Sequence, residues 1–302
     1  MNLQDHSQRS VGKMRLRAQR SMSKSWRWPN GADRRIYGID FSGAKDAGNK
    51  IWIAKGVPVG DRLLIEECFR AAGLPNSGKR VETCLPALVH LIRSETNAAF
   101  GFDFPFGLPA SLVKEKTWEQ FVAAFPEKYR SPEAFRESCR QANLGGESKR
   151  KTDTEARTPF SPYNLRLFKQ TYHGISGVLF PLVRDGGACV LPFSEPVAGK
   201  PWILEICPAS TLKHLMKKRV PSYKGPKEVH RESRRQLLAN VLKERAVFGK
   251  NKGIKDMILS DRGGDALDSV IAAVAAFNVI QKGDVFIPDD NGYWKIEGYV
   301  YA

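Results

Sequence analysis

From Arg34 onward the chain alternates short apolar runs with turn residues. Arg34–Asp40, Lys50–Val57 and Arg62–Phe69 are each rich in Ile, Val, Leu and Trp, and Gly43, Gly48, Gly56 and Gly60 punctuate the connections. Those connections are too short to hold a crossover helix, so the three runs predict an antiparallel meander. Val81, Leu85, Leu88, Val89 and Ile92 then recur at helical spacing and predict an amphipathic helix over 80–94. Ala98–Asp103 follows as an apolar strand. Because a helix leads into it, it is expected to run parallel to its neighbour.

Residues 108–200 break this pattern with many Pro and Gly, and helical spacing returns in parts: Trp118–Phe125, Pro132–Ala142 and Asn164–Thr171. A strand is expected again at Trp202–Ile206, followed by helices over Ser210–Lys217 and Glu228–Arg245, each with a strongly basic face. An Ala/Val-rich helix is expected from Asp265 to Lys282, and Trp294–Tyr301 reads as a short C-terminal strand. Three antiparallel strands, a helix, then parallel strands separated by helices is the order of a ribonuclease H-like α/β fold. The expected architecture is a mixed five-stranded sheet flanked by helices, with a mainly helical insertion at about 108–200, all within one domain over 34–302.

Within these elements the acidic residues stand out. Asp40 and Asp103 each close an apolar strand, Glu205 lies inside one, and Asp265 and Asp268 open the Ala/Val-rich helix. A carboxylate in an apolar strand costs several kcal/mol unless paired, hydrogen-bonded or bound to a cation. Asp is also a common turn former and N-cap, so any one of these residues has an ordinary structural reading. As a set drawn from distant parts of the chain, they point to one shared site for a divalent metal such as Mg²⁺ or Mn²⁺. In the expected sheet Asp40 and Asp103 are neighbours, and the helix brings Asp265 or Asp268 to them. These two are spaced i, i+3 and can share a face. Asp268 is favoured as ligand, since Asp265 after Gly263-Gly264 suits an N-cap.

Composition narrows the function classes. The 302 residues carry a net charge of +16, and 42% are hydrophobic. No run approaches the ~18 apolar residues that span a bilayer. No secretory signal is seen, and the five cysteines lack CxxC spacing, so a reduced cytoplasmic protein is expected rather than a zinc ribbon or disulfide scaffold. Cys207 reads as a small buried hydrophobe, not a nucleophile. The positive charge gathers in two segments. Residues 1–33 read as a disordered basic tail. Residues 213–255 hold fourteen Lys/Arg against Glu228, Glu232 and Glu244. Lys149-Arg150-Lys151 reads as a smaller basic cluster in a polar loop. Such basic surface is the footprint of a phosphate-rich partner, here nucleic acid. Around the acidic set, Ser42, Lys45, Arg157 and Arg166 are secondary candidates for phosphate contact. Tyr163 and Trp118 could stack on bases but fit packing better, and His173 and His214 lack metal-ligand spacing.

The runs Gly38-Ile39-Asp40, Phe102-Asp103-Phe104-Pro105-Phe106-Gly107, Glu205-Ile206-Cys207-Pro208-Ala209 and Asp265-Ala266-Leu267-Asp268-Ser269 occur in that order. Together with Thr158–Pro162 and Gly177–Leu182 they resemble the motif series of a large microbial family of predicted nucleases with ribonuclease H-like fold, domain of unknown function family 429. The resemblance covers about 34–302. It implies Asp40, Asp103, Glu205 and one or both of Asp265 and Asp268 as the acidic positions, all present here. The expected function is therefore a metal-dependent nuclease, a phosphodiester hydrolase in which Asp40, Asp103, Glu205 and Asp268 carry the chemistry. Two alternatives stand beside it: a non-catalytic nucleic-acid-binding protein, and an ATP-dependent phosphotransferase of the related sugar-kinase/ATPase superfamily. The chain is short for two copies of the core that the phosphotransferases use.

Overall fold

The computed structural model describes residues 34–217, 219–249, 253–281 and 292–302, so the expected basic tail lies outside the described residues. The meander forms as its alternation dictates. Strands β1 (Arg35–Asp40), β2 (Trp52–Val59) and β3 (Arg62–Arg70) pair antiparallel, with a bulge between Lys55 and Gly56. Helix α1 (Val81–Ser94) returns the chain to β4 (Ala98–Phe102), which lies parallel to β1, and β6 (Trp202–Ile206) lies parallel to β4. The strand order is β6-β4-β1-β2-β3, with further short strands beside β6 and β3.

Among the described residues the sheet thus has eight strands, where the sequence pattern predicts five and a short C-terminal strand. The other three strands, β5 (Cys189–Val190), β7 (Ala246–Phe248) and β8 (Val300–Tyr301), are two or three residues long; β8 lies within the expected C-terminal strand, while β5 and β7 were not expected. At that length alternation leaves no trace in the sequence. Three expected elements also differ. The helix begun at Glu228 ends at Leu237 and loosens into a π-turn over Leu238–Leu242, which frees Ala246–Phe248 to pair with β3. The expected strand Trp294–Tyr301 is a short helix (Trp294–Glu297) turned into β8 by Gly298, whose φ is +87°. In the insertion, Asn164 does not start a helix. Its side chain accepts from the Arg166 amide at 3.0 Å, a local bond that competes with helix, and the helix begins at Phe168 instead.

Period-two alternation sorts the strand residues onto two faces. Tyr37, Ile39, Phe100 and Phe102 pack with α1 and the insertion helices, while Ile36, Ala99 and Leu204 pack with α10 (Asp265–Gln281). Helix α10 is apolar on every side because the sheet and the helices α7 (Pro208–Met216) and α9 (Gly253–Ser260) cover it. It lies close to the sheet at Gly38 and Gly101. A methyl on Gly38 would run into the backbone of Ser269 and Ala273, and one on Gly101 would come within 2.9 Å of the Ala272 carbonyl. These two glycines fix the height of α10 and, with it, the position of its acidic first turn. Among the described residues no single helix is long and apolar enough to cross a membrane.

Candidate active site

Alternation also decides where each acidic side chain goes. Asp40 is two residues beyond Gly38, so it shares the α10 face. Asp103 stands in the same relation to Gly101, and its amide donates to the Ile39 carbonyl at 3.0 Å. Ile39 and Phe102 are register partners, so Asp40 and Asp103 emerge side by side at the end of β1 and β4. Asp268, in the first turn of α10, comes down to them, with Asp265 one turn earlier at the rim. The N-cap role expected for Asp265 belongs to Asp261, whose carboxylate accepts from the Ala266 amide at 3.0 Å.

Glu205 behaves differently. Its register partner is Phe102, not Asp103, so its side chain is on the opposite face, toward the insertion. There both carboxylate oxygens meet the buried Arg150 guanidinium, and Oε2 also accepts from the Phe106 amide at 2.9 Å. Arg150 further binds Asp153 (2.8 and 2.9 Å) and the Glu297 carbonyl (2.8 Å). Arg150 is 1% exposed, which overturns its reading as surface charge in the 149–151 cluster. Helix α4 (Lys151–Glu155) starts at this arginine, and the Asp153 carboxylate caps the Arg150 amide at 3.0 Å.

The residue that sequence reasoning missed is Lys224. Its ammonium lies 2.5 Å from Asp268 Oδ2 and 3.8 Å from Asp265 Oδ1, while the Tyr223 hydroxyl donates to Asp268 Oδ1 at 2.6 Å. Both come from the loop before α8 (Glu228–Leu237). Arg234 of that helix, 2% exposed, clamps the loop by donating to the Tyr223 carbonyl (2.6 Å) and, from its other side, to the Leu259 carbonyl (2.9 Å). A lysine and an arginine in a segment with fourteen basic residues carry no individual signal. Only the fold separates these two from the solvated rest.

A cavity of about 360 Å³ opens at this end of the sheet, bordered by Asp40, Asp103, Glu205, Asp265 and Asp268. Ser42, Lys50, Arg166 and Lys224 add donors and positive charge to its wall, and Phe160 and Phe41 add apolar surface. Ser42 also accepts from the Ala44 amide at 3.3 Å as a turn hydroxyl. Lys45, Arg157, His173 and His214 do not border the cavity. Trp118 and Tyr163 are buried: the indole donates to the Phe106 carbonyl at 2.8 Å, and the phenol accepts from the Ser148 amide at 2.6 Å. Cys207 is half-buried and borders the cavity, so it is not the fully buried hydrophobe expected, while burial, and secondarily Asp103, pushes its thiol up to about 12, away from the nucleophilic thiolate.

Burial raises the Asp40 carboxyl well above the carboxylate range, with Asp268, Asp265 and Asp103 adding to it and Lys224 opposing. Asp103 is pushed up to about 7, first by burial and then by Asp268. Among the described residues neither carboxylate accepts a side-chain hydrogen bond or forms an ion pair, although Asp40 is 7% exposed. The Lys224 ammonium, despite burial, is held above its ordinary range by Asp268 and Asp40. A raised folded-state pKa stabilises the fold fully below the unfolded value near 3.8, and that contribution is lost as pH rises through about 7. In chelator, wild type is therefore expected to lose stability across this window relative to Asp103→Asn, at up to about 1.4 kcal/mol per pH unit. Parallel urea denaturation curves for the two proteins would contradict this.

Among the described residues no three His, Cys, Asp or Glu side chains form a ready-made cation cage. The donor set still suits a hard divalent ion. It consists of carboxylate oxygens, one of them buried and unpartnered, and the position beside Asp268 is taken by a cationic nitrogen.

Fold and site together define an α/β protein with a mixed sheet and a carboxylate-lined cavity beyond the ends of β1 and β4. Over residues 38–292 the sequence matches the family described as Protein of unknown function (DUF429), and the chain belongs to that family. No curated protein and no solved structure matches it.

Proposed function

We propose that this chain is a metal-dependent nuclease of ribonuclease H-like architecture, hydrolysing phosphodiester bonds of nucleic acid in the cytoplasm. The observation that carries the reading is Asp40: a buried carboxylate without a partner, beside Asp103 and Asp268, in a cavity with a basic wall. The order β3-β2-β1-β4-β6, antiparallel and then parallel, supports the architecture. Five unpaired cysteines suit a reducing compartment.

Asp40, Asp103 and Asp268 would hold the Mg²⁺ or Mn²⁺, with Asp265 at the rim. Bound there, a divalent ion supplies a water of lowered pKa and neutralises charge on the phosphate. Glu205 has spent its oxygens on Arg150 and acts as the wall behind Asp103. Lys224 occupies Asp268 while no ion does, and once released it is placed to meet a phosphate oxygen. Lys50 and Arg166 would orient the polyanion from the cavity wall.

The experiment is incubation with labelled DNA, RNA, hybrid and branched substrates in Mn²⁺, Mg²⁺ or chelator. Metal-dependent cleavage of one class is the expected result. Salt-sensitive binding without turnover would favour a pure binder, and turnover of ATP alone would favour a phosphotransferase. Lys224→Gln removes the competing cation, so Mn²⁺ is expected to bind this variant roughly tenfold tighter by calorimetry, the scale of a charge pair worth about 1.4 kcal/mol. Weaker Mn²⁺ binding in the variant would mean that the lysine does not compete for the ion's place.

A further inference from the structure

The strand register continues the line of the active site across the sheet. Asp40 of β1 is paired with Trp52 of β2, and Trp52 with Arg70 of β3. Trp52 packs on the α10 side, as Asp40 does. The exposed Arg70 guanidinium lies over the Trp52 ring, 4.9 Å from its centroid, a contact that favours one position for it at the strand end. Here a second, more open cavity of about 670 Å³ begins. Trp52, Phe69 and Arg70 form one side, and Met257 of α9 with Arg262 and Gly263 of the α9–α10 turn form the other.

Three features give this cavity a chemical character. Arg70 and Arg262 are exposed on opposite sides of it, and among the described residues neither side chain has a carboxylate partner. The one acid on its border, Asp261, is engaged in capping α10. Finally, the partition from the first cavity is thin. A side chain on Gly263 would come within 2.6 Å of Asp265 Oδ2, and Asp265 borders the carboxylate cavity.

We propose that this second cavity binds the phosphodiester backbone of the nucleic-acid strand whose scissile phosphate lies at Asp40. Arg70 and Arg262 take phosphates that follow one another on one side of the scissile one. The inference rests on the nuclease reading and adds to it the path of the substrate. A guanidinium presents a planar fork that matches two phosphate oxygens, and one already stacked on an indole loses little freedom when it binds. The strand then crosses the ends of β1, β2 and β3, with the Gly263–Asp265 turn between its two contact points. Gly263 leaves that turn without a side chain, so a backbone can pass over it.

The test uses the full chain in chelator with a fluorescent single-stranded oligonucleotide, its Kd followed by anisotropy across a salt series. Arg70→Ala/Arg262→Ala is expected to weaken binding about tenfold at low salt and to flatten the log Kd against log salt slope by roughly 1.4, at ~0.7 per phosphate contact on a single strand. Arg62→Ala/Lys200→Ala removes two exposed cations from the opposite end of the sheet and is expected to stay within about twofold of wild type. Arg70→Lys/Arg262→Lys keeps the charge, so its slope should match wild type while its affinity falls. The Mn²⁺-induced shift in melting temperature should be equal in all four proteins, which shows that the fold and the carboxylate site are intact. An unchanged slope in the arginine double variant, or a loss no greater than in the distal control, would overturn the proposal. If wild type binds no nucleic acid at all, the nuclease reading falls and this path falls with it.

Discussion

Asp40→Asn is expected to abolish metal-dependent cleavage, by on the order of 10³-fold or more, while making the metal-free protein more stable. On the proposed reading, the first effect follows from removing the central charge that would hold the ion, a contribution of several kcal/mol to the transition state. The second follows from the strain that the site stores. Asp40 is buried without a partner and faces Asp268, Asp265 and Asp103, all of one sign, with Lys224 as the opposing charge. A neutral amide of the same shape relieves that repulsion. The gain should be about 1 kcal/mol, the scale on which single stabilising substitutions commonly act. Chemical denaturation in chelator measures it beside the cleavage assay. An Asn variant that is both inactive and less stable would mark Asp40 as a structural carboxylate.

Arg150→Met is expected to show the largest loss of stability, about 3–5 kcal/mol, because it leaves two buried carboxylates without their cation. Glu205 and Asp153 share this guanidinium, and no other cation among the described residues bonds to either. The expected drop in melting temperature is roughly 10 °C, taking ~2–4 °C per kcal/mol for a domain of this order. Arg150→Met combined with Asp153→Asn and Glu205→Gln should recover part of it, since the charges that were stranded are then gone. A triple variant no better than the single would show that packing by the arginine stem, not charge, dominates.

These two arginine and aspartate positions show how far the sequence could be read. The meander, α1 and the parallel strands were legible because each runs long enough for period two or period 3.6 to repeat. The neighbouring ends of β1 and β4 follow from that order, and so does the proximity of Asp40 to Asp103. Glu205 was legible as a buried acid, but its partner was not. Had register been known, its alignment with Phe102 would have placed it on the other face from Asp103, since one residue's offset reverses a strand side chain. Arg150 was hidden because a basic triplet among polar residues looks solvated. Lys224 was hidden in the same way. Both depend on contacts across 55 and 44 positions of sequence, Arg150 with Glu205 and Lys224 with Asp268, which no local pattern encodes. The short strands β5 and β7 were invisible for a simpler reason, having too few residues to alternate, and of the expected C-terminal strand only Val300–Tyr301 forms.

The contacts of Arg150 also bear on when the site comes into being as the protein is made. Its guanidinium leans on the Glu297 carbonyl, the Lys151 amide donates to the Glu297 carboxylate at 2.6 Å, and the Val300 amide donates to Thr152 Oγ1 at 2.9 Å. Every acidic residue of the cavity has been translated by position 268, yet the support behind Glu205 is absent until residues near 300 have left the ribosome exit tunnel. A nascent chain carrying all five carboxylates therefore still lacks a closed cavity wall. Closure of the site is thus tied to a segment that follows every one of its acidic residues in the chain.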